Sequence, residues 1–173
     1  MSELVAKDHL REFEDRLSER MRQASTAPRT ARLGLMIGGQ RWLVELAQAG
    51  EIVPVPSQIT PVPLTRPWFR GLVNLRGALY GVTDFSAFMG GMPTPVTKES
   101  RLLALSSALN LNAALLVTRM LGLHDAARWA TVPDCPPGEA WTGERWIDPE
   151  GREWCELSLS RLSADPRFLA VGR

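Results

Sequence analysis

The residues predict a mainly β fold, a small barrel or sandwich preceded by one amphipathic helix. From Arg32 onward short apolar runs recur at close intervals, which is the spacing of strands rather than of helices. Fourteen glycines and 13 prolines in 173 residues punctuate those runs. Many short strands so punctuated favour a barrel or sandwich over an alternating α/β sheet. Only residues 3 to 24 carry a sustained helical period.

In that first segment Ala6, Leu10, Phe13, Leu17, Met21 and Ala24 recur at spacings of three and four, with charges filling most other positions. Ser2 suits an N-cap, and Glu3 with Lys7 and Glu12 with Arg16 are i,i+4 pairs in the favourable order. The stripe needs cover, from the body of the molecule or from a partner. Pro28 and its small polar neighbours end the pattern, so residues 1–31 read as helix plus linker and 32–173 as the globular domain. Leu33 to Ile37 and Arg41 to Leu46, joined by Gly38-Gly39, form the first predicted hairpin. Glu51 to Val55, Gln58 to Val62, Leu72 to Leu75, Leu79 to Phe85, Arg101 to Leu105, Ala113 to Thr118 and Trp154 to Leu159 follow as strands. Prolines 54, 56, 61 and 63 confine their segments to strand ends or sheet edges. Phe85 to Met89 reads as a brief helical turn, residues 133–152 as an irregular loop anchored by Trp141 and Trp146, and Ser160 to Ser163 as a short final helix.

Twenty basic against 19 acidic residues leave a net charge of +1, which gives no electrostatic reason to expect nucleic acid. Cys135 and Cys155 stand outside any metal-ligand spacing, as do His9 and His124, so neither a disulfide scaffold nor a metal site is expected. No glycine pattern for phosphate binding and no nucleophile elbow is present, so the expectation is no cofactor, no catalytic residue and no enzyme. Asp84, Asp125, Asp134 and Asp148 lie at turns and strand ends, where acids are ordinarily solvated or capping. The start of the chain lacks a secretory pattern, and no apolar run reaches the roughly 20 residues of a membrane helix; a cytoplasmic protein without direct membrane insertion is expected.

The most informative stretch is Trp68 to Phe85. Two apolar runs flank Asn74-Leu75-Arg76-Gly77, and the second run ends in Asp84. It reads as a hairpin with one arginine at its tip and Gly77 supplying the positive φ of a tight turn. This stretch resembles the central signature of the CheW-like chemotaxis coupling family. The resemblance extends over about residues 32 to 170: Leu35 to Val44 is similar to the family's first hairpin, Gly50-Glu51-Ile52 to its acidic-isoleucine element, and Leu115 to Leu123 to its later strand pair. Trp68-Phe69, Leu79-Tyr80, Trp154 to Leu157 and the charged N-terminal helix resemble the branch that serves type IV pilus systems.

That resemblance implies two small five-stranded β-barrel subdomains packed together, and a non-catalytic adaptor. Its implied partners are the cytoplasmic tip of a methyl-accepting chemoreceptor and the regulatory domain of a CheA-type histidine kinase. Receptor arrays would recruit it to the inner face of the membrane, and twitching motility is the implied output. Carried over by position, Arg76 leads the protein-binding candidates, followed by Glu51, Ile52, Asn74 and Leu75, with apolar residues in a groove between subdomains contributing. Arg76 read without the family is a surface arginine paired with a nearby carboxylate. Gly81 stands where many relatives have proline, and Thr118 where many have aspartate. Two alternatives stay open from the residues: the adaptor of a flagellar array, and a small β-barrel enzyme or ligand-binding protein.

Overall fold

The computed structural model describes residues 31–133 and 138–173. The predicted N-terminal helix and linker, His9, Asp134 and Cys135 lie outside them. Among the described residues eleven strands form two sheets. The first holds β1 (Ala31–Ile37), β2 (Gln40–Glu45), β8 (Arg119–Asp125), β9 (Ala130–Thr131), β10 (Thr142–Ile147) and β11 (Glu153–Leu157). Its order is β8, β1, β2, β11, β10, β9. The second holds β3 (Ala49–Pro54), β4 (Phe69–Leu75), β5 (Ala78–Asp84), β6 (Arg101–Leu105) and β7 (Ala113–Val117), in the order β3, β6, β7, β5, β4. All pairings are antiparallel except β2 with β11 and β5 with β7. Among the described residues the α-helices are single turns, α1 (Phe85–Phe88), α2 (Leu159–Ser163) and α3 (Pro166–Leu169), each N-capped by an aspartate or serine side chain.

Both sheets curl so that their edges approach. In the five-stranded sheet the ion pair between Arg76 and Glu51 ties the β4–β5 hairpin to β3, the opposite edge. In the other, only residues 126–129 separate the edge strands β8 and β9 along the chain. The expected two-subdomain β architecture is thus present, with a sixth, two-residue strand in one sheet instead of five.

The continuous apolar runs of the sequence have a physical reason: they bury both faces. In β7 the side chains of Ala113, Leu115 and Val117 enter a core shared by the two sheets, while Ala114 and Leu116 turn into the private core of the five-stranded sheet. Strand β2 repeats this arrangement, with Trp42 and Val44 in the shared core and Leu43 packed with Trp146 and Trp154. Each fully buried leucine contributes about 2 kcal/mol of hydrophobic stabilisation.

Three expectations need correction. Gln58 to Val62 is no strand; only Thr60 bridges Leu72, because Pro61 and Pro63 remove the donors a ladder requires. Residues 133–152 are not uniformly irregular, since β10 occupies Thr142–Ile147 and pairs with β11. Asp84 and Asp148 are not solvated but buried. Asp84 caps α1, yet it also accepts hydrogen bonds from the Thr94 amide at 2.8 Å, the Thr94 hydroxyl at 2.7 Å and Arg70 at 3.1 Å. Asp148 closes the β10–β11 turn. Burial alone would push its carboxyl up, but hydrogen bonds from the Trp154 indole, Arg152 and the backbone amides of Arg152 and Glu150 outweigh that and hold it well below the usual carboxylate range.

Candidate protein-interaction site

The β4–β5 hairpin pairs Leu75 with Ala78, leaving Arg76-Gly77 as a two-residue loop. Both loop residues have positive φ, 51° and 85°, the signature of a type I′ turn. Asn74 Oδ1 accepts the Gly77 amide at 2.8 Å and locks the turn. The usual first residue of such a turn is Asn, Asp or Gly, because a longer side chain in the left-handed region costs about 1 kcal/mol. Arg76 sits there nonetheless, with its side chain 83% exposed and its Nε forming an ion pair with Glu51 Oε1 at 3.1 Å. An exposed pair of this kind contributes about 0–1 kcal/mol.

The five sequence candidates therefore divide. Arg76 and Glu51 meet, and Ile52 follows Glu51 with a large exposed apolar side chain. Asn74 belongs to the turn. Leu75 packs against the private core around Val73 and Val82, which gives it a structural role. Pattern reading missed Leu79, which is 60% exposed on the other arm of the hairpin, directly across from Asn74. Its exposure follows from strand alternation, since Tyr80 and Val82 are the residues turned toward that core.

A separate groove of about 920 Å³ opens between the β2 side of the first sheet and the helical turns α1 and α3, lined by Trp42, Trp68, Phe88 and Trp141 with Arg66, Glu139 and Arg167 among the polar residues. Its floor is a ring cluster: Trp68 meets Phe88 edge-on at 5.1 Å, Phe85 meets Trp141 at 5.0 Å, and Trp42 lies 5.9 Å from Trp141. The indole N–H groups of Trp42 and Trp141 are buried without an acceptor among the described residues, a cost that ring packing must offset. Arg76, Glu51 and Ile52 do not line this groove. The arginine tip and the aromatic groove are therefore separate features of the surface. The His124 ring lies against Trp129 and Trp154, and its Nε2 is 2.7 Å from the Leu121 carbonyl. Among the described residues no three His, Cys, Asp or Glu side chains gather as a metal site, and no helix is long and apolar enough to cross a membrane.

Two curled sheets thus share an apolar core, and a charged hairpin tip projects from one of them. The chain belongs to the CheW-like domain family, whose family model matches residues 32–133. It is similar to Protein PilI of Pseudomonas aeruginosa, at 28% identity over 108 residues, which is 62% of this chain and 60% of PilI. The match thus spans less than two thirds of that relative. Among solved structures, the scaffolding protein TtCheW from Thermoanaerobacter tengcongensis superposes with a TM-score of 0.62 over 74% of this chain and 88% of its own, at 18% identity, a likeness of fold.

Proposed function

We propose that this protein is a non-catalytic chemosensory adaptor, which couples the cytoplasmic tip of a methyl-accepting chemoreceptor to the regulatory domain of a CheA-type histidine kinase. It works at the inner face of the membrane, held there by receptor arrays, in a system that controls type IV pilus twitching. Family membership and the likeness to PilI support the class of activity. The observation that carries the site is the arginine itself. A side chain held in the left-handed region at a turn that favours asparagine, and left largely exposed, is a local cost with no return in packing. Receptor tips are helical, and a guanidinium flanked by the exposed Ile52 and Leu79 suits a helix surface carrying both apolar and acidic groups.

Arg76→Asn tests this directly, because it restores the favoured Asn-Gly turn. The variant is expected to be more stable by about 1 kcal/mol in urea unfolding. Calorimetry against a receptor tip fragment should show at least tenfold weaker binding, with binding to the kinase regulatory domain unchanged. A variant that binds the receptor fragment as the wild type does would remove Arg76 from the interface. A wild-type protein that binds neither partner would overturn the adaptor reading.

A further inference from the structure

We propose that the aromatic groove beside α1 and α3 is the seat of the chain's own N-terminal segment, with Phe13 and Leu17 inserted over Trp68, Phe88 and Trp141. Thirty residues precede Ala31, and residues 3 to 24 carry an apolar stripe that cannot remain in water as a stable helix without cover. The groove is the complementary feature: an apolar floor of about 920 Å³, large enough for a few bulky side chains and too small for a whole domain.

Geometry makes the reach possible. Strand β1 begins at Ala31, and the turn that follows its last residue places Gly38 in the groove wall. The strand is about 20 Å long at ~3.3 Å per residue. Residues 25 to 30, extended, span about the same distance. A stretch of that length is therefore long enough to bring the preceding segment to the groove mouth. The charges also match in kind. The segment's sequence carries both signs, Glu14 and Arg20 among them, and the groove rim likewise carries both, in Arg66, Glu139 and Arg167. Arg66 has no ion-pair partner among the described residues, whereas Arg167 is already held by Glu139 and Asp165. A segment of mixed charge fits this rim better than a strongly acidic or strongly basic one.

The test uses the full chain with p-benzoylphenylalanine incorporated in place of Leu17, irradiated at low concentration and mapped by peptide mass spectrometry. The expected result is an intramolecular crosslink, within the monomer band, to the Trp68, Phe88–Met89 or Trp141 peptides. Crosslinks between two chains would assign the segment to a second copy and overturn the proposal, as would crosslinks confined to β3 and β8 or none above background. In parallel, Leu17→Asp is expected to raise acrylamide quenching of tryptophan fluorescence about twofold with the far-ultraviolet β signal retained. Unchanged quenching in that folded variant would also overturn it. Neither readout involves a receptor or kinase fragment, so the docking stands or falls apart from the adaptor function.

Discussion

Replacing Asp84 by alanine should be among the most damaging single changes in the protein. The carboxylate is fully buried and accepts from the Thr94 amide, the Thr94 hydroxyl, Arg70 and the first turn of α1. Removing one member of a buried charged pair costs about 3–5 kcal/mol, because the other charge and the amide donors lose their acceptor. The Arg70 side chain is 36% exposed and can recover part of its hydration, so the lower end applies, about 3 kcal/mol. For a domain of this size that corresponds to a fall in Tm of about 6–12 °C. Urea unfolding followed by tryptophan emission would read it as a lower midpoint with an unchanged slope. Asp84→Asn keeps an acceptor for Thr94 and gives up the charge facing Arg70, so an intermediate loss is expected. An Asp84→Ala protein within about 1 kcal/mol of wild type would refute the reasoning, since the network would then be no more than a solvated surface cluster.

Further outcomes follow from the same geometry. At Gly71, where φ is 130°, an added Cβ would lie 2.1 Å from the Thr60 carbonyl oxygen, so Gly71→Ala should cost more than about 3 kcal/mol. Gly77→Ala, with φ 85° and open space around it, should cost only about 1 kcal/mol; equal losses in chemical denaturation would show that the clash does not operate. Asp148 titrates below its unfolded value near 4, so its stabilisation is complete above that value and is lost as pH falls through the depressed folded value. The stability gap between wild type and Asp148→Asn should thus be flat from pH 7 to about 5 and narrow below about 4; a gap independent of pH down to 2.5 would contradict the assignment.

Much of the architecture was legible because the strands announce themselves. Doubly buried strands such as β6 and β7 read as unbroken apolar runs, and the β4–β5 hairpin carries its own turn chemistry in Asn74 and Gly77. Strand β10 was not legible, since Thr142 to Ile147 turns only Trp146 fully inward and its remaining residues are polar or exposed. The candidate site was half legible. Arg76 and Glu51 could be named from position, but their contact depends on sheet curvature, which brings opposite edges together across a distance no local pattern records. The buried role of Asp84 was hidden for a similar reason: its partners Arg70 and Thr94 come from segments on either side of it, and a strand-end aspartate looks the same in sequence whether it caps in water or anchors a loop. The aromatic groove left only the trace of scattered tryptophans, which signal anchoring without saying what they anchor to.

The order of the strands has a consequence for how the molecule is made. All of β3 to β7 lie between β2 and β8 along the chain, so the five-stranded sheet is inserted within the other. As the protein leaves the ribosome, the inserted sheet holds every strand it needs once Val117 has emerged. The outer sheet must wait: Trp42 finds its parallel neighbour Cys155 only after nearly the whole domain has been synthesised. Until then β2 presents an open, apolar edge, and the finished fold is the moment at which the last strand takes that place.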